Sequence, residues 1–137
     1  MTELLELYQK QNLNIKNIKS LIDHGKNLNV KDRFGYTALH YASFYNNLEM
    51  VKILLECGVN VNEKFNNDGT SLHYAAIHGH LEIVKILLEY GANIHVKDNW
   101  GRTPLYRAYR NNNLDVVKLL KNHMKKDLKN YINNIMF

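Results

Sequence analysis

The chain has 137 residues, of which 45% are hydrophobic and 23% charged, a composition that excludes wholesale disorder and suits one folded domain, 1–137. No apolar run approaches the roughly 20 residues that a membrane-spanning helix needs, so we expect no membrane association. Cys57 is the single cysteine. This excludes an internal disulfide bond and favours an intracellular location, in the cytoplasm or the nucleus.

The formal net charge of +5 is carried by one end of the chain. Residues 1–97 contain equal numbers of acidic and basic side chains, whereas residues 98–137 contain eight basic and three acidic ones. Any attraction for an acidic partner, nucleic acid included, is therefore expected from this C-terminal part.

The sequence matches itself at a spacing of 33 residues. A Thr-containing tetrapeptide, a leucine-rich segment and a lone glycine all recur at this spacing, and three independent matches to one period indicate a true repeat. Their positions are 37–40, 70–73 and 103–106 for the tetrapeptide, 48–55, 81–88 and 114–121 for the segment, and Gly25, Gly58 and Gly91 for the glycine.

Each copy predicts two short helices, as the first copy shows. Thr37 is an N-cap candidate because its hydroxyl can accept a hydrogen bond from a free backbone N–H of the first turn. The first helix carries small residues that allow close packing, and a turn at residues 46–47 follows. The second helix places apolar residues of 48–55 on one stripe. Gly58 then ends it in the left-handed conformation that glycine adopts at low cost.

No single helix pair can bury its stripe alone, so successive copies are expected to stack, and the stack then needs a cover at both ends. Met124 replaces the helix-ending glycine of the last copy, so its second helix is expected to run on. Residues 127–137 carry apolar side chains at helical spacing and predict a final amphipathic helix. A similar cover begins near the N-terminus, at Leu4, Leu5, Leu7 and Tyr8.

These features make the sequence resemble the ankyrin-repeat proteins, whose 33-residue repeat carries a T-P-L-H-x-A signature and forms a turn and two helices. The resemblance implies an all-α ankyrin-repeat solenoid of stacked helix-turn-helix units with capping helices at both ends. Its parts are a degenerate N-terminal repeat or cap at 1–31, repeats at 32–64, 65–97 and 98–126, and a C-terminal capping helix at 127–137.

Several positions depart from the family pattern. Phe65 and Asp68 stand where the other two copies have Asp and Gly, and Gly69 comes one position late, so we expect a distorted turn tip there. In the last copy, Tyr106 replaces the histidine of the tetrapeptide and Tyr109 replaces a small alanine. Both replacements suggest that this copy packs against something different.

Motifs for catalysis or cofactor binding are missing from the sequence. It has no phosphate-binding glycine loop and no nucleophile elbow. His73, His78 and His80 lie close together, but His73 and His80 occupy positions where the family uses the ring to satisfy backbone groups. Since no further ligand completes a metal site, we expect no metal, no cofactor, no small-molecule substrate and no enzymatic activity.

The resemblance implies a binding role instead. In ankyrin-repeat proteins the turn tips and the exposed sides of the first helices form a concave face on which protein partners dock. Aromatic residues and arginine, which dominate binding energy at protein interfaces, are frequent at these positions here. We expect a protein partner to contact Arg33, Phe34, Tyr36, Phe44, Tyr45, Asn66, Asn67, His78, Asn99, Trp100, Arg102, Arg107 and Arg110.

Some residues leave two interpretations open. Tyr41 and Tyr74 suit packing between helices as well as they suit binding. For Phe34 and Trp100, binding is favoured over lateral packing between tips, because large aromatic residues are enriched at interfaces.

Three functions compete. The first is a non-catalytic protein–protein interaction module, acting as a monomeric adaptor, inhibitor or effector. The second is nucleic-acid binding through the basic C-terminal part, although no nucleic-acid motif is present. The third is a structural segment of a larger assembly. In addition, Asn62 and Asn29 occupy the place at which ankyrin repeats resemble substrates of an asparaginyl hydroxylase, whereas the third equivalent is His95.

Overall fold

The computed structural model describes residues 15–25 and 27–136, and in that part of the chain it contains helices and turns but no strand. None of the described helices is both long and apolar enough to cross a membrane. The predicted cover at Leu4, Leu5, Leu7 and Tyr8 lies outside the described residues. The helices are α1 (Ile15–Asp23), α2 (Ala38–Phe44), α3 (Leu48–Glu56), α4 (Ser71–His78), α5 (Leu81–Glu89), α6 (Pro104–Arg110) and α7 (Leu114–Met136).

The short first helices α2, α4 and α6 follow the predicted threonines. Thr37 Oγ1 accepts a hydrogen bond from the backbone N–H of His40, and Thr103 Oγ1 accepts one from Tyr106. Pro104 occupies the first turn of α6, where its missing N–H costs nothing. The turns that end these helices each contain one residue with positive φ: Asn46, Gly79 and Asn112.

The longer second helices bury the apolar stripe. The first helices α2, α4 and α6 pack on one another in one row, and α3, α5 and α7 pack in a second row. Full burial of one leucine or isoleucine stabilises the fold by roughly 1.5–3 kcal/mol, so the stack depends on these contacts. Its largest fully buried apolar residues are Ile18, Met50, Leu54, Leu72, Ile83, Leu87 and Leu120.

Two buried histidines bind backbone carbonyls that lie 23 and 29 residues further along the chain, close to the second and third turn tips. The Nε2 atom of His40 lies 2.8 Å from the carbonyl oxygen of Glu63, and that of His73 lies 2.9 Å from the carbonyl oxygen of Arg102. In His40, Nδ1 accepts the backbone N–H of Thr37 at 2.9 Å, so Nε2 carries the proton and donates. Burial lowers the pKa of His40 to about 4 and also lowers the pKa of His73, which keeps both rings neutral at pH 7.

The expected distortion of the second turn tip is not present. Asp68 takes a φ of 60°, the left-handed conformation that Gly35 and Gly101 take at the other two tips. Aspartate tolerates this conformation better than most residues because its side chain is short and polar. The backbone N–H of Phe65 donates to the carbonyl of Gly69 at 3.1 Å, as the equivalent N–H groups do at the other tips. The tip therefore keeps the same turn with different side chains.

Gly69 is needed for space rather than for backbone freedom. A Cβ atom at this position would lie 2.4 Å from the Cζ atom of Phe65. The equivalent positions in the other two copies carry the large side chains Tyr36 and Arg102, where an aspartate replaces Phe65. Phe65 and Gly69 are therefore a matched pair.

The last helix differs from the prediction of a separate capping helix at 127–137. α7 runs without a break from Leu114 to Met136, because Met124 replaces the glycine that ends the equivalent helices. At about 1.5 Å per residue its 23 residues span about 34 Å, well beyond the nine-residue α5. Its apolar residues do not cover the stack, since they are 48–67% exposed: Leu128, Tyr131, Ile132, Ile135 and Met136.

Candidate functional site

The three turn tips and the first helices form one continuous surface, called here the tip face: residues 32–36, 65–69 and 98–102, the first, second and third tips, with α2, α4 and α6. Main-chain hydrogen bonds join the tips. The N–H of Asn66 donates to the carbonyl of Phe34 at 3.3 Å, and the N–H of Asn99 donates to the carbonyl of Asn67 at 2.8 Å. The side chains of neighbouring tips are therefore presented in a fixed arrangement.

An aromatic cluster fills the space between the first two repeats. The buried ring of Phe65 stacks between Tyr36 and Tyr74, with centroid separations of 5.1 and 4.6 Å and interplanar angles of 24° and 10°. The hydroxyl of Tyr74 donates to that of Tyr36 at 2.7 Å. Tyr74 therefore packs within the face. Tyr36, predicted to contact a partner, is half-buried in the same cluster.

A hollow of about 180 Å³ lies beside this cluster. At its edge, Phe44 and Tyr45 are 41% and 60% exposed, which suits the contact role predicted for them. The Phe44 ring is nearly perpendicular to those of Tyr45 and Tyr74, with centroids 5.0 and 5.6 Å away. The hydroxyl of Tyr41 donates to Asp32. The residues that line the hollow are Tyr36, His40, Tyr41, Phe44, Tyr45 and Tyr74.

The third tip is held by charge instead of aromatic stacking. Arg107 donates from Nε and Nη2 to Oδ2 of Asp98, at 2.9 and 2.5 Å. The other carboxylate oxygen accepts the backbone N–H groups of Trp100 and Arg102, each at 3.0 Å. Burial alone would raise the pKa of Asp98, but these hydrogen bonds outweigh it and lower the pKa. The charge of Arg107, predicted for a partner, is therefore already paired.

Arginines lie over aromatic rings at both ends of the tip face. The Arg107 guanidinium is 5.4 Å from the centroid of Trp100, which remains 60% exposed. Arg33 lies 4.7 Å from the ring of Phe34, itself 48% exposed. The two aromatic side chains expected to face a partner are thus exposed, and each has a cation against its ring.

The predicted asparagines have structural contacts at the tips. Besides the main-chain bonds between tips, Oδ1 of Asn67 accepts the N–H of Gly69 at 2.9 Å. The side-chain amides of Asn66 and Asn99 reach carbonyls of the preceding tip at 3.5 Å. Asn66 and Asn99 remain exposed, so their contacts with the neighbouring tip leave part of each side chain accessible.

The remaining predicted contact residues are exposed on the first helices and tips. His78 lies with its ring 4.9 Å from that of Phe44, and burial, followed by the charge of nearby His80, lowers its pKa. Arg110, at the end of α6, is exposed. Arg102 is exposed at the third tip, 5.6 Å from the ring of Tyr106.

Sequence reasoning missed part of this surface. Tyr106 and Tyr109 are 42% and 64% exposed on α6 and extend the tip face. Phe65, read as a defect of the second tip, is the centre of the aromatic cluster. The available signal was the alignment of the three copies, in which Phe65 replaces the aspartate of the other two copies and Gly69 replaces their large side chains, Tyr36 and Arg102.

The two asparagines named for hydroxylation bridge successive loops. Oδ1 of Asn29 accepts the N–H of Asn60 at 2.9 Å, and Oδ1 of Asn62 accepts the N–H of Asn93 at 2.8 Å. Their modification stays a prediction. We expect a mass gain of one oxygen per site after incubation with an asparaginyl hydroxylase, and an unchanged intact mass would contradict it.

Within 15–25 and 27–136, no group of three or more His, Cys, Asp or Glu side chains is arranged to hold a metal ion. The buried histidines are committed to backbone groups, as described above.

The structure is a stack of helix pairs, in which a threonine caps each first helix and a residue with positive φ lies in the turn that follows it. This arrangement defines a solenoid repeat protein. The family model for ankyrin repeats, in three copies, matches residues 7–98 and 58–131. These matches cover most of the chain, which belongs to the ankyrin-repeat family. No curated protein matches the chain. Ankyrin repeats are generally protein–protein interaction modules and are typically non-catalytic.

Proposed function

We propose that this chain is a non-catalytic interaction module that binds a protein partner on its tip face. It acts inside the cell, in the cytoplasm or nucleus, as a monomeric adaptor, inhibitor or effector. The proposal rests on the family and on the chemistry of this one surface.

The observation that supports it most is the set of large aromatic side chains exposed on a backbone held rigid by hydrogen bonds between tips. Phe34, Phe44, Tyr45 and Trp100 are each 41–60% exposed, although such side chains gain free energy by leaving water. Arginines accompany them at both ends of the face, and this combination is typical of the residues that dominate binding energy. A rigid surface also loses little conformational entropy on binding.

Affinity capture with matched variants tests this proposal. The wild-type chain, the triple variant Phe44→Ala/Tyr45→Ala/Trp100→Ala and the control Tyr90→Ala would be immobilised and exposed to cell extract. Tyr90 is 44% exposed at the end of α5, outside the tip face, so it controls for loss of an exposed aromatic ring.

Quantitative mass spectrometry should find proteins enriched by the wild type and by Tyr90→Ala but not by the triple variant, and a purified candidate should then bind in the same order. Circular dichroism would check that all three chains are equally helical. Identical capture by all three would contradict the proposal.

Nucleic-acid binding is the alternative function. Five lysines are exposed along α7: Lys118, Lys121, Lys125, Lys126 and Lys129. Phosphate contacts release counterions, so genuine binding to random DNA or RNA would weaken steeply as salt is raised. A steep salt dependence that is lost when these lysines are changed to glutamine would favour this alternative over the protein partner.

A further inference from the structure

The hollow of the tip face has walls made of aromatic rings at several orientations. Phe44 stands nearly perpendicular to Tyr45 and Tyr74, at 82° and 90°, while Tyr36 is tilted by 48° from Tyr41. Packed aromatic pairs adopt both stacked and edge-to-face arrangements, and Phe65 nearby is stacked. Rings set at steep angles around a space instead offer it both faces and edges.

The surroundings of the hollow favour a positive guest. No Lys or Arg is among the residues that line it. Asp32 accepts the hydroxyl of Tyr41 in the wall, and Glu63, which accepts from Lys31 at 2.6 Å, lies behind His40. These three charged groups sum to −1 on a chain whose overall charge is +5. Arg33 lies over Phe34, whose ring is 6.5 Å from that of Tyr36 and outside the lining.

The size of the hollow restricts the guest to a small group. About 180 Å³ is below the roughly 300 Å³ at which sites for whole small molecules begin, so the end of one side chain is a better match. Aromatic faces attract cations, and a cage of such faces suits an alkylated ammonium, which is less strongly hydrated than a free ammonium.

We propose that this hollow binds an alkylated ammonium group, such as that of a methylated lysine, on the protein partner. The inference rests on the proposed function, because the hollow opens on the tip face. The shape and charge of the walls carry it, together with the exposure of Phe44 and Tyr45 at the entrance.

The test compares two probes of equal shape and different charge. A short peptide with trimethyllysine and its neutral analogue, in which a carbon atom replaces the ammonium nitrogen, would be titrated into the intact chain and followed by NMR. We expect saturable shifts at the aromatic residues of the hollow with the charged peptide, and at least about tenfold weaker binding of the neutral one. Equal affinities, or no shifts with the charged peptide, would overturn the proposal.

Variants locate the site. Phe44→Leu and Tyr45→Leu keep apolar walls but remove aromatic faces, and each should weaken binding of the charged peptide about tenfold, whereas Tyr90→Leu should not. Free choline serves as a second probe, and binding as tight as that of the peptide would overturn the assignment to a partner side chain. If the wild type captures proteins through its tip face but does not bind the charged peptide, this inference alone is rejected. If the wild type captures no protein that depends on the tip face, the proposed function is rejected.

Discussion

The second and third turn tips have the same backbone but are stabilised by different side chains. In both, the first residue of the tip donates its N–H to the fifth and accepts the N–H of the fourth. In the third tip, the buried carboxylate of Asp98 joins two backbone N–H groups to Arg107. In the second tip, the rings of Phe65 and Tyr74 stack at 4.6 Å and Gly69 leaves the space they need.

The first tip shows that the comparison concerns a pair of positions. There Asp32 accepts the hydroxyl of Tyr41, nine residues further along, and the same separation joins Asp98 to Arg107 and Phe65 to Tyr74. The same turn is supported by a carboxylate and a hydroxyl in the first tip, by two stacked rings in the second, and by a carboxylate and a guanidinium in the third. Only one member of the pair differs between the first tip and each of the other two, so the turn tolerates a change at either position.

The largest effect is expected at the third tip. Asp98→Ala removes the acceptor of a nearly buried ion pair and leaves Arg107 and two backbone N–H groups without it. We expect a loss of about 3 kcal/mol in the free energy of unfolding, measured by urea denaturation. Asp98→Asn, which keeps the shape and one acceptor oxygen, should cost less. A loss below about 1 kcal/mol for the alanine variant would mean that the charge is dispensable.

At the second tip, the pairing of Phe65 with Gly69 can be broken from the glycine side. Gly69→Ala places a methyl group against the Phe65 ring and should reduce the free energy of unfolding by about 2 kcal/mol. In a Phe65→Ala background the same change should cost much less, because the ring is gone. A double-mutant cycle measures this coupling, and equal costs in both backgrounds would disprove the matched pair.

Acid should destabilise the fold by protonating the buried histidines His40 and His73, which bind backbone carbonyls at or near the second and third tips. Burial lowers the pKa of His40 to about 4, below the roughly 6.5 of an unfolded histidine, so the unfolded chain binds protons more readily. Stability is therefore complete above pH 6.5 and falls as the pH drops towards 4. Between pH 7 and pH 5 we expect His40 to cost about 2 kcal/mol, with His73 acting in the same direction.

Urea denaturation at the two pH values measures this loss. The variant His40→Gln, although less stable at pH 7, should lose less stability on acidification than the wild type. A wild type whose stability does not change between pH 7 and pH 5 would show that the histidines are not held neutral by burial.

The smallest effects distinguish the first tip from the second. Tyr41→Phe removes a hydrogen bond to a carboxylate and should cost about 1.5 kcal/mol, whereas Tyr74→Phe removes a bond between two hydroxyls and should cost about 1 kcal/mol or less. Thermal denaturation of the two variants compares them directly. The reverse order would show that the stacked rings depend on their hydroxyl groups more than the Asp32 turn does.

Much of the fold could be predicted because the 33-residue period repeats the same local rules three times. Threonine starts, small residues and left-handed turns are visible in the sequence, and they occur in the structure where expected. The amphipathic pattern from Leu128 to Met136 correctly indicated a helix but not its surroundings. Periodicity shows that one side is apolar and does not show whether another element covers it.

The candidate site was less predictable because contacts between repeats decide it. The exposure of Phe34 and Trp100 follows from their place at turn tips. The burial of Tyr36 depends on Phe65, which lies 29 residues further along the chain. The ion pair of Arg107 depends on Asp98, which lies nine residues earlier in a turn, so helical periodicity does not predict that the two side chains meet. A single sequence shows such pairs only when its copies are compared position by position.

The hydrogen bonds between tips have a mechanical consequence. The middle tip donates a hydrogen bond to the first tip through the backbone N–H of Asn66 and accepts one from the third tip through the carbonyl of Asn67. A shift of this tip is therefore passed to both neighbours, so the surface responds as one strip. A ligand that draws the first and third tips together would bend the whole row of tips. The stiffness of the middle tip would then limit how far the row can curve around the ligand.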